Sequence, residues 1–111
     1  MTSYNVNTFL NDHRLSFKAK GVLFYILAQP DGYRPSVDDL AQRSSDGANA
    51  VRAAIAELRL AGYAVVETQF SGNGQMRGQA LRVACDPRYA QRPENQRFAA
   101  KHAAKSRKNS K

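Results

Sequence analysis

Between Phe17 and Gln29 the chain reads FKAKGVLFYILAQ, and Ala19, Val22, Leu23, Ile26 and Leu27 fall on one face of a helix. Phe17, Phe24 and Ala28 widen that face past half the circumference, which places the helix at the centre of a core. Ser16 is the expected N-cap, and Pro30-Asp31-Gly32 ends the run. Gly21 in its interior costs roughly 1 kcal/mol relative to alanine, so a second helix is expected to cross closely there. A shorter apolar pattern follows at Val37, Leu40 and Ala41, behind the capping signal of Ser36 and Asp39, and predicts a two-turn helix ending near Arg43.

The third pattern is the strongest. In Asp46 to Tyr63, DGANAVRAAIAELRLAGY, the residues Val51, Ile55 and Leu58 recur at i, i+4, i+7 with Ala48 one turn earlier. Asn49, Arg52, Ala53, Ala56 and Arg59 point elsewhere, so the helix has one buried face and one presented face. Asp46, with Ser45 as competitor, is the expected N-cap, and Gly62 is the C-terminal stop.

The period then shortens to two. Tyr63 to Phe70 (YAVVETQF) reads as a strand and Gln79 to Ala84 (QALRVA) as its partner, with the glycines and Asn73-Gly74 pair of Ser71 to Gly78 forming a hairpin loop. Tyr4 to Leu10, with apolar points at Tyr4, Val6 and Phe9, suggests a short irregular strand at the other end. The fold expected is therefore α+β: three helices and a C-terminal β-hairpin in residues 1–85, with a basic C-terminal tail in residues 86–111. Pro93 to Lys105 can form a helix within that tail, but its apolar face offers only Phe98 and alanines, so it is expected to stay frayed or disordered without a partner.

Composition changes this picture in two respects. With 111 residues, 42% of them hydrophobic, the chain has room for one modest core and a tail. The net charge of +8 is unevenly spread. Residues 1–85 carry nine Lys or Arg against seven acids, whereas residues 86–111 carry eight against two. A nearly balanced globule with a basic tail is the layout of a protein that meets a polyanion, solubility being the plainer use of the same charge. The single cysteine, Cys85, excludes an internal disulfide and a cysteine zinc cluster, and fits a reduced, cytoplasmic setting. The longest apolar run, Val22 to Ala28, falls far short of the roughly 18 residues of a membrane span, and MTSYNVNTF lacks the pattern of a signal peptide.

Catalytic readings find little to stand on. His13 and His102 are far apart, Cys85 has no evident base beside it, and no glycine-rich loop precedes a Lys-Ser or Lys-Thr pair. Asp38-Asp39 is better explained as first-turn acids of a helix than as a catalytic pair. No enzyme activity, metal, cofactor or small-molecule ligand is expected.

Short helix, short polar turn, longer helix is the helix-turn-helix pattern, and the hairpin after it makes a winged helix. On LSFKAKGVLFYILAQPDGY, AVRAAIAELRLAGY and the GNGQMRG loop, the stretch from Asn7 to Val83 resembles the winged-helix domain of phage and plasmid replication-initiator or replisome-organiser proteins and of related mobile-element regulators. Two features depart from that pattern: the turn of Ser44, Ser45 and Asp46 is wholly polar, and a basic tail stands where those proteins continue into a further domain.

The helix-turn-helix reading implies double-stranded DNA as partner, bound in the cytoplasm on phage, plasmid or nucleoid DNA, and assigns roles by position. Asn49 and Arg52 are expected to read adenine and guanine edges, and Ala50 and Ala53 to touch a thymine methyl or allow close approach. Asp46 and Gly47 offer backbone N–H at a helix N-terminus to a phosphate, and Arg43, Ser44 and Ser45 are expected phosphate contacts. Gln75, Met76 and Arg77 on the wing would reach a minor groove or flanking backbone. Because the presented face of the third helix is weakly charged, tail cations including Arg97, Lys101, Lys105, Arg107 and Lys108 are expected to supply affinity. A homodimer on a palindromic site is the expected assembly. The alternative is a winged helix that binds protein, as an adaptor or inhibitor, through the aromatic surplus of Tyr4, Phe9, Phe17, Tyr25 and Phe70.

Overall fold

The computed structural model describes residues 6–30 and 32–109, and the side chains of residues 69, 76, 77 and 104–109 lie outside that description. Among the described residues the chain folds as α1 (Asn7–Leu10), α2 (Phe17–Leu27), α3 (Val37–Gln42), α4 (Ala48–Ala61), β1 (Ala64–Phe70), β2 (Met76–Val83) and α5 (Pro93–Asn109). The fold is α+β, with five helices rather than three and a two-stranded antiparallel sheet. Among the described residues no helix is long and apolar enough to cross a membrane.

Local hydrogen bonding sets most of the helix ends. Ser16 caps α2 by accepting from the Ala19 N–H at 3.1 Å. Ser36 and Asp39 form a reciprocal capping box at α3, with bonds of 3.0 and 3.2 Å. At the end of α4, Tyr63 N–H donates to Leu58 C=O and Gly62 N–H to Arg59 C=O, which is a Schellman motif, and Gly62 takes φ 90° to close it. Gly62 is needed twice over, because a Cβ there would lie 2.8 Å from Ala90 Cβ.

The core gathers Leu23 and Ile26 of α2, Leu40 of α3, and Val51, Ile55 and Leu58 of α4 beneath Tyr63 and Leu81 of the hairpin. Tyr63 is 1% exposed, meets Phe9 edge-to-face at 6.3 Å, and donates its hydroxyl to Asp12 at 2.8 Å. That cluster overturns the strand expected at Tyr4 to Leu10: Val6 and Phe9 stand one helical turn apart, and a turn of helix is what drives Phe9 beneath Tyr63. Tyr4 itself lies outside the described residues.

Two expectations for α2 are also corrected. Its buried residues are Ala19, Leu23, Ile26 and Leu27, so the opposite face carries Phe17, 89% exposed, together with Gly21 and Phe24. Nothing lies within 4 Å of a Cβ built on Gly21, so no helix crosses there. The apolar residues cover more than half of the helix, but the core covers only the side of Ala19, Leu23, Ile26 and Leu27.

β1 and β2 pair from Ala64↔Val83 to Phe70↔Met76, with a bulge at Gln69/Phe70 where Gly78 takes φ 131°. The loop between them closes through Ser71 N–H to Gln75 C=O at 2.8 Å, and Gly74 takes φ 86°. Leu81 N–H, on β2, donates to Pro35 C=O at 2.9 Å and ties the sheet to the start of α3.

The helix possible at Pro93 to Lys105 is present as α5, and its first half is docked rather than frayed. Asn95 is 3% exposed and donates to the Ala64 and Tyr89 carbonyls at 2.8 and 3.0 Å. Arg92 bridges Glu94 and Glu67 at 2.8 and 3.0 Å. The Arg59 guanidinium lies 3.7 Å from the Phe98 ring centroid. One buried amide, one charge network and one stacked aromatic thus dock the first half of α5 on β1 and α4, compensating for a narrow apolar face.

Candidate functional site

α3, the turn after it and α4 carry eight of the expected contact residues: Arg43, Ser44, Ser45, Gly47, Asn49, Ala50, Arg52 and Ala53. Arg43 closes α3 and is exposed, with the Tyr25 hydroxyl beside its guanidinium raising its pKa. Ser44 and Ser45 are exposed; Ser44 Oγ accepts from the Asp46 N–H at 2.9 Å, so it is occupied locally. The N-cap of α4 is Gly47 at φ 84°, not Asp46 or Ser45, because the chain enters the helix through a conformation that suits glycine. No side chain caps that end, which leaves first-turn N–H groups of α4 without a side-chain acceptor.

Asn49 and Arg52 are exposed and adjacent: Arg52 Nη1 donates to Asn49 Oδ1 at 3.4 Å. Arg52 Nη2 also stands 3.6 Å from Asp38 Oδ1, with side-chain exposures of 56% and 79%, a solvent-screened pair that holds Arg52 only loosely. Ala53 is exposed, whereas Ala50 is half-buried. Glu57, an acid on the same helix, does not face outward freely: its carboxylate accepts from the Ser16 N–H and hydroxyl at 2.7 and 2.8 Å.

Gln75 is exposed at the hairpin tip. The side chains of Met76 and Arg77, and those of Lys105, Arg107 and Lys108 on α5, lie outside the described residues. Arg97 and Lys101 are exposed on α5 and do not stand apart from α4. With Arg59 they line a groove of about 700 Å³ that runs from the start of α3 across α4 to the sheet.

Arg59 is the residue that sequence reasoning undervalued. It shares the face of Asn49, Arg52 and Ala56 by helical spacing, and burial pulls its guanidinium pKa below the ordinary value. The available signal was Asn95 and Phe98, three residues apart behind Pro93, a pattern that lets a polar helix dock by one turn. No protein family, no curated protein and no solved structure matches the chain.

Proposed function

We propose that the protein binds double-stranded DNA as a winged helix-turn-helix, with α2, α3 and α4 as the trihelical unit, α4 as recognition helix and the β1–β2 hairpin as wing. α1 and α5 are then additions at its edges. The observation that carries the reading is the exposed Asn49–Arg52 pair on the first two turns of α4, the part of such a helix that reaches base edges. Asn and Arg are the side chains that pair bidentately with adenine and guanine, and among the described residues they are tethered by a long mutual hydrogen bond and a solvent-exposed partner in Asp38. The uncapped α4 N-terminus at Gly47, with Arg43, Ser44 and Ser45 beside it, suits backbone phosphates. Together with the resemblance to replication-initiator and mobile-element winged helices, this favours a sequence-specific regulator or replication-initiation factor, acting in the cytoplasm as a homodimer. Selection from a random duplex pool tests it: the wild type should enrich a motif, and Asn49→Ala with Arg52→Ala should abolish that enrichment. No enriched motif, or the same motif from the double variant, would refute the reading.

A specific feature favours a second reading, in which the fold binds a protein. Phe17 and Phe24 are 89% and 49% exposed on the outer face of α2, and Phe17 lines a groove of about 460 Å³ with Val22, Tyr25, Leu40 and Val51. Crosslinking that captures a partner at Phe17 in a protein selecting no DNA motif would favour this reading.

A further inference from the structure

We infer that the groove between α4, the sheet and α5 is a binding site for a phosphate group, with Arg59 as its least exposed cation and Arg97 and Lys101 on its rim. The inference does not rest on the DNA reading.

The groove has a volume of about 700 Å³, within the size range of small-molecule sites. Its lining holds three cations and two carboxylates. Arg59, Arg97 and Lys101 have no ion-pair partner within 4.0 Å among the described residues. Two carboxylates line the same groove, and each is directed to another arginine: Glu94 is bonded by Arg92 at 2.8 Å, and Asp38, 79% exposed, faces Arg52 at 3.6 Å. Glu94 also acts electrostatically on Arg97, so three cations against two carboxylates leave the lining with a net charge of +1.

Arg59 is the most informative of the three. One face of its guanidinium lies on Phe98, and a face bonded to an aromatic ring leaves the in-plane N–H groups to find acceptors elsewhere. Its Nε is buried with no hydrogen-bond partner among the described residues. A half-buried guanidinium with no ion-pair partner gains from an oxyanion that accepts from its fork. Thr68 and Gln79, cross-strand partners whose side chains line the same groove, add a hydroxyl and an amide that can orient the oxygens. Three cations from two helices suit a multiply charged, many-oxygened group better than a carboxylate, which has two oxygens and one charge.

The phosphate could come from a DNA backbone or from a free or small-molecule phosphate. Both sources are distinguished by titrating the ¹⁵N-labelled full chain in chloride buffer of fixed ionic strength, following the Arg59 Nε–H resonance. Inorganic phosphate is added in one series and a short mixed-sequence DNA duplex in another. The expected result is a saturable shift of that resonance, with affinity falling about tenfold or more in Arg97→Gln/Lys101→Gln, as for loss of charge-assisted hydrogen bonds. A shift with phosphate alone assigns a free phosphate or phosphorylated small molecule. A shift with the duplex, competed by phosphate, assigns the nucleic-acid backbone. The double variant changes exposed side chains only, and its backbone amide spectrum reports whether α5 stays docked. Absence of a saturable Arg59 shift with either ligand, or an unchanged affinity in the variant with α5 docked, would overturn the site. Failure of motif selection leaves the phosphate series intact, so the two readings fail separately.

Discussion

The Glu57 carboxylate accepts two hydrogen bonds from Ser16, 41 residues earlier, one from its backbone N–H and one from its hydroxyl. Ser16 in turn accepts from Ala19, so the cap of α2 is itself held by α4. The two helices that cross at the core are thereby locked in register at the polar edge of their contact. Glu57→Ala should destabilise the fold by about 1–2 kcal/mol, the loss of two bonds to a charged acceptor at a partly exposed site. Urea denaturation measures it, and a change within about 0.5 kcal/mol, the range of ordinary surface substitutions, would show that the link contributes nothing.

The Tyr63–Asp12 contact predicts pH dependence at both ends of the scale. The bidentate Arg14 guanidinium, together with the Tyr63 hydroxyl, holds the Asp12 carboxyl well below its usual range, so its contribution is present above pH about 4 and is lost as the medium is made more acid. Burial, reinforced by donation to Asp12, pushes the Tyr63 phenol from its ordinary 10.0 up to about 12. A raised value means that the neutral phenol is favoured in the fold, so stability is complete below pH 10 and declines as pH rises towards 12. Thermal melts of the wild type and Tyr63→Phe across that interval should converge at the alkaline end. Parallel curves would remove Tyr63 as the cause.

Gly21 and Gly62 should respond to alanine with opposite signs. Gly21 is an exposed helical residue with open space beyond its Cα, so Gly21→Ala should stabilise by up to about 1 kcal/mol. Gly62 takes φ 90° with Ala90 pressed against it, so Gly62→Ala should cost about 1–3 kcal/mol. Denaturation midpoints of the two single variants decide the matter, and a destabilising Gly21→Ala would mean that a partner covers that face.

If the protein binds duplex DNA, the cations beyond residue 103 should set the salt dependence. Residues 104–111 hold Lys105, Arg107, Lys108 and Lys111. Each phosphate neutralised adds about 0.9 to the slope of log K against log salt, so removing that segment should flatten it by up to about 3.5. The truncation keeps Arg92, Asn95 and Phe98, which dock α5. Base preference in the random-site selection should be unchanged, and its loss would assign sequence reading to the tail.

The helices α2, α3 and α4 and the hairpin were legible in the sequence because the signals that define them act over a few residues. Ser16 needs only Ala19, Ser36 only Asp39, and the end of α4 only Leu58 to Tyr63. The exposed pair on α4 was legible for the same reason: Val51, Ile55 and Leu58 claim one face, and a 3.6-residue period sends Asn49 and Arg52 to another.

What the sequence left undecided lies in pairs far apart along it. Periodicity names the α2 face of Ala19, Leu23, Ile26 and Leu27 that meets the core, but it does not say that Phe17 and Phe24, which widen that face, stay outside it; packing against α4 and the hairpin leaves both exposed. Nor can it give the helical turn at Asn7–Leu10, which depends on Phe9 meeting Tyr63. The docking of α5 rests on Asn95 reaching the Ala64 carbonyl, 31 residues away, and on Phe98 reaching Arg59. The local pattern determined the elements and their presented faces; the tertiary structure decided where α5 lies and so made Arg59, Arg97 and Lys101 neighbours of one groove, because burial of a charge depends on what the rest of the chain brings to it.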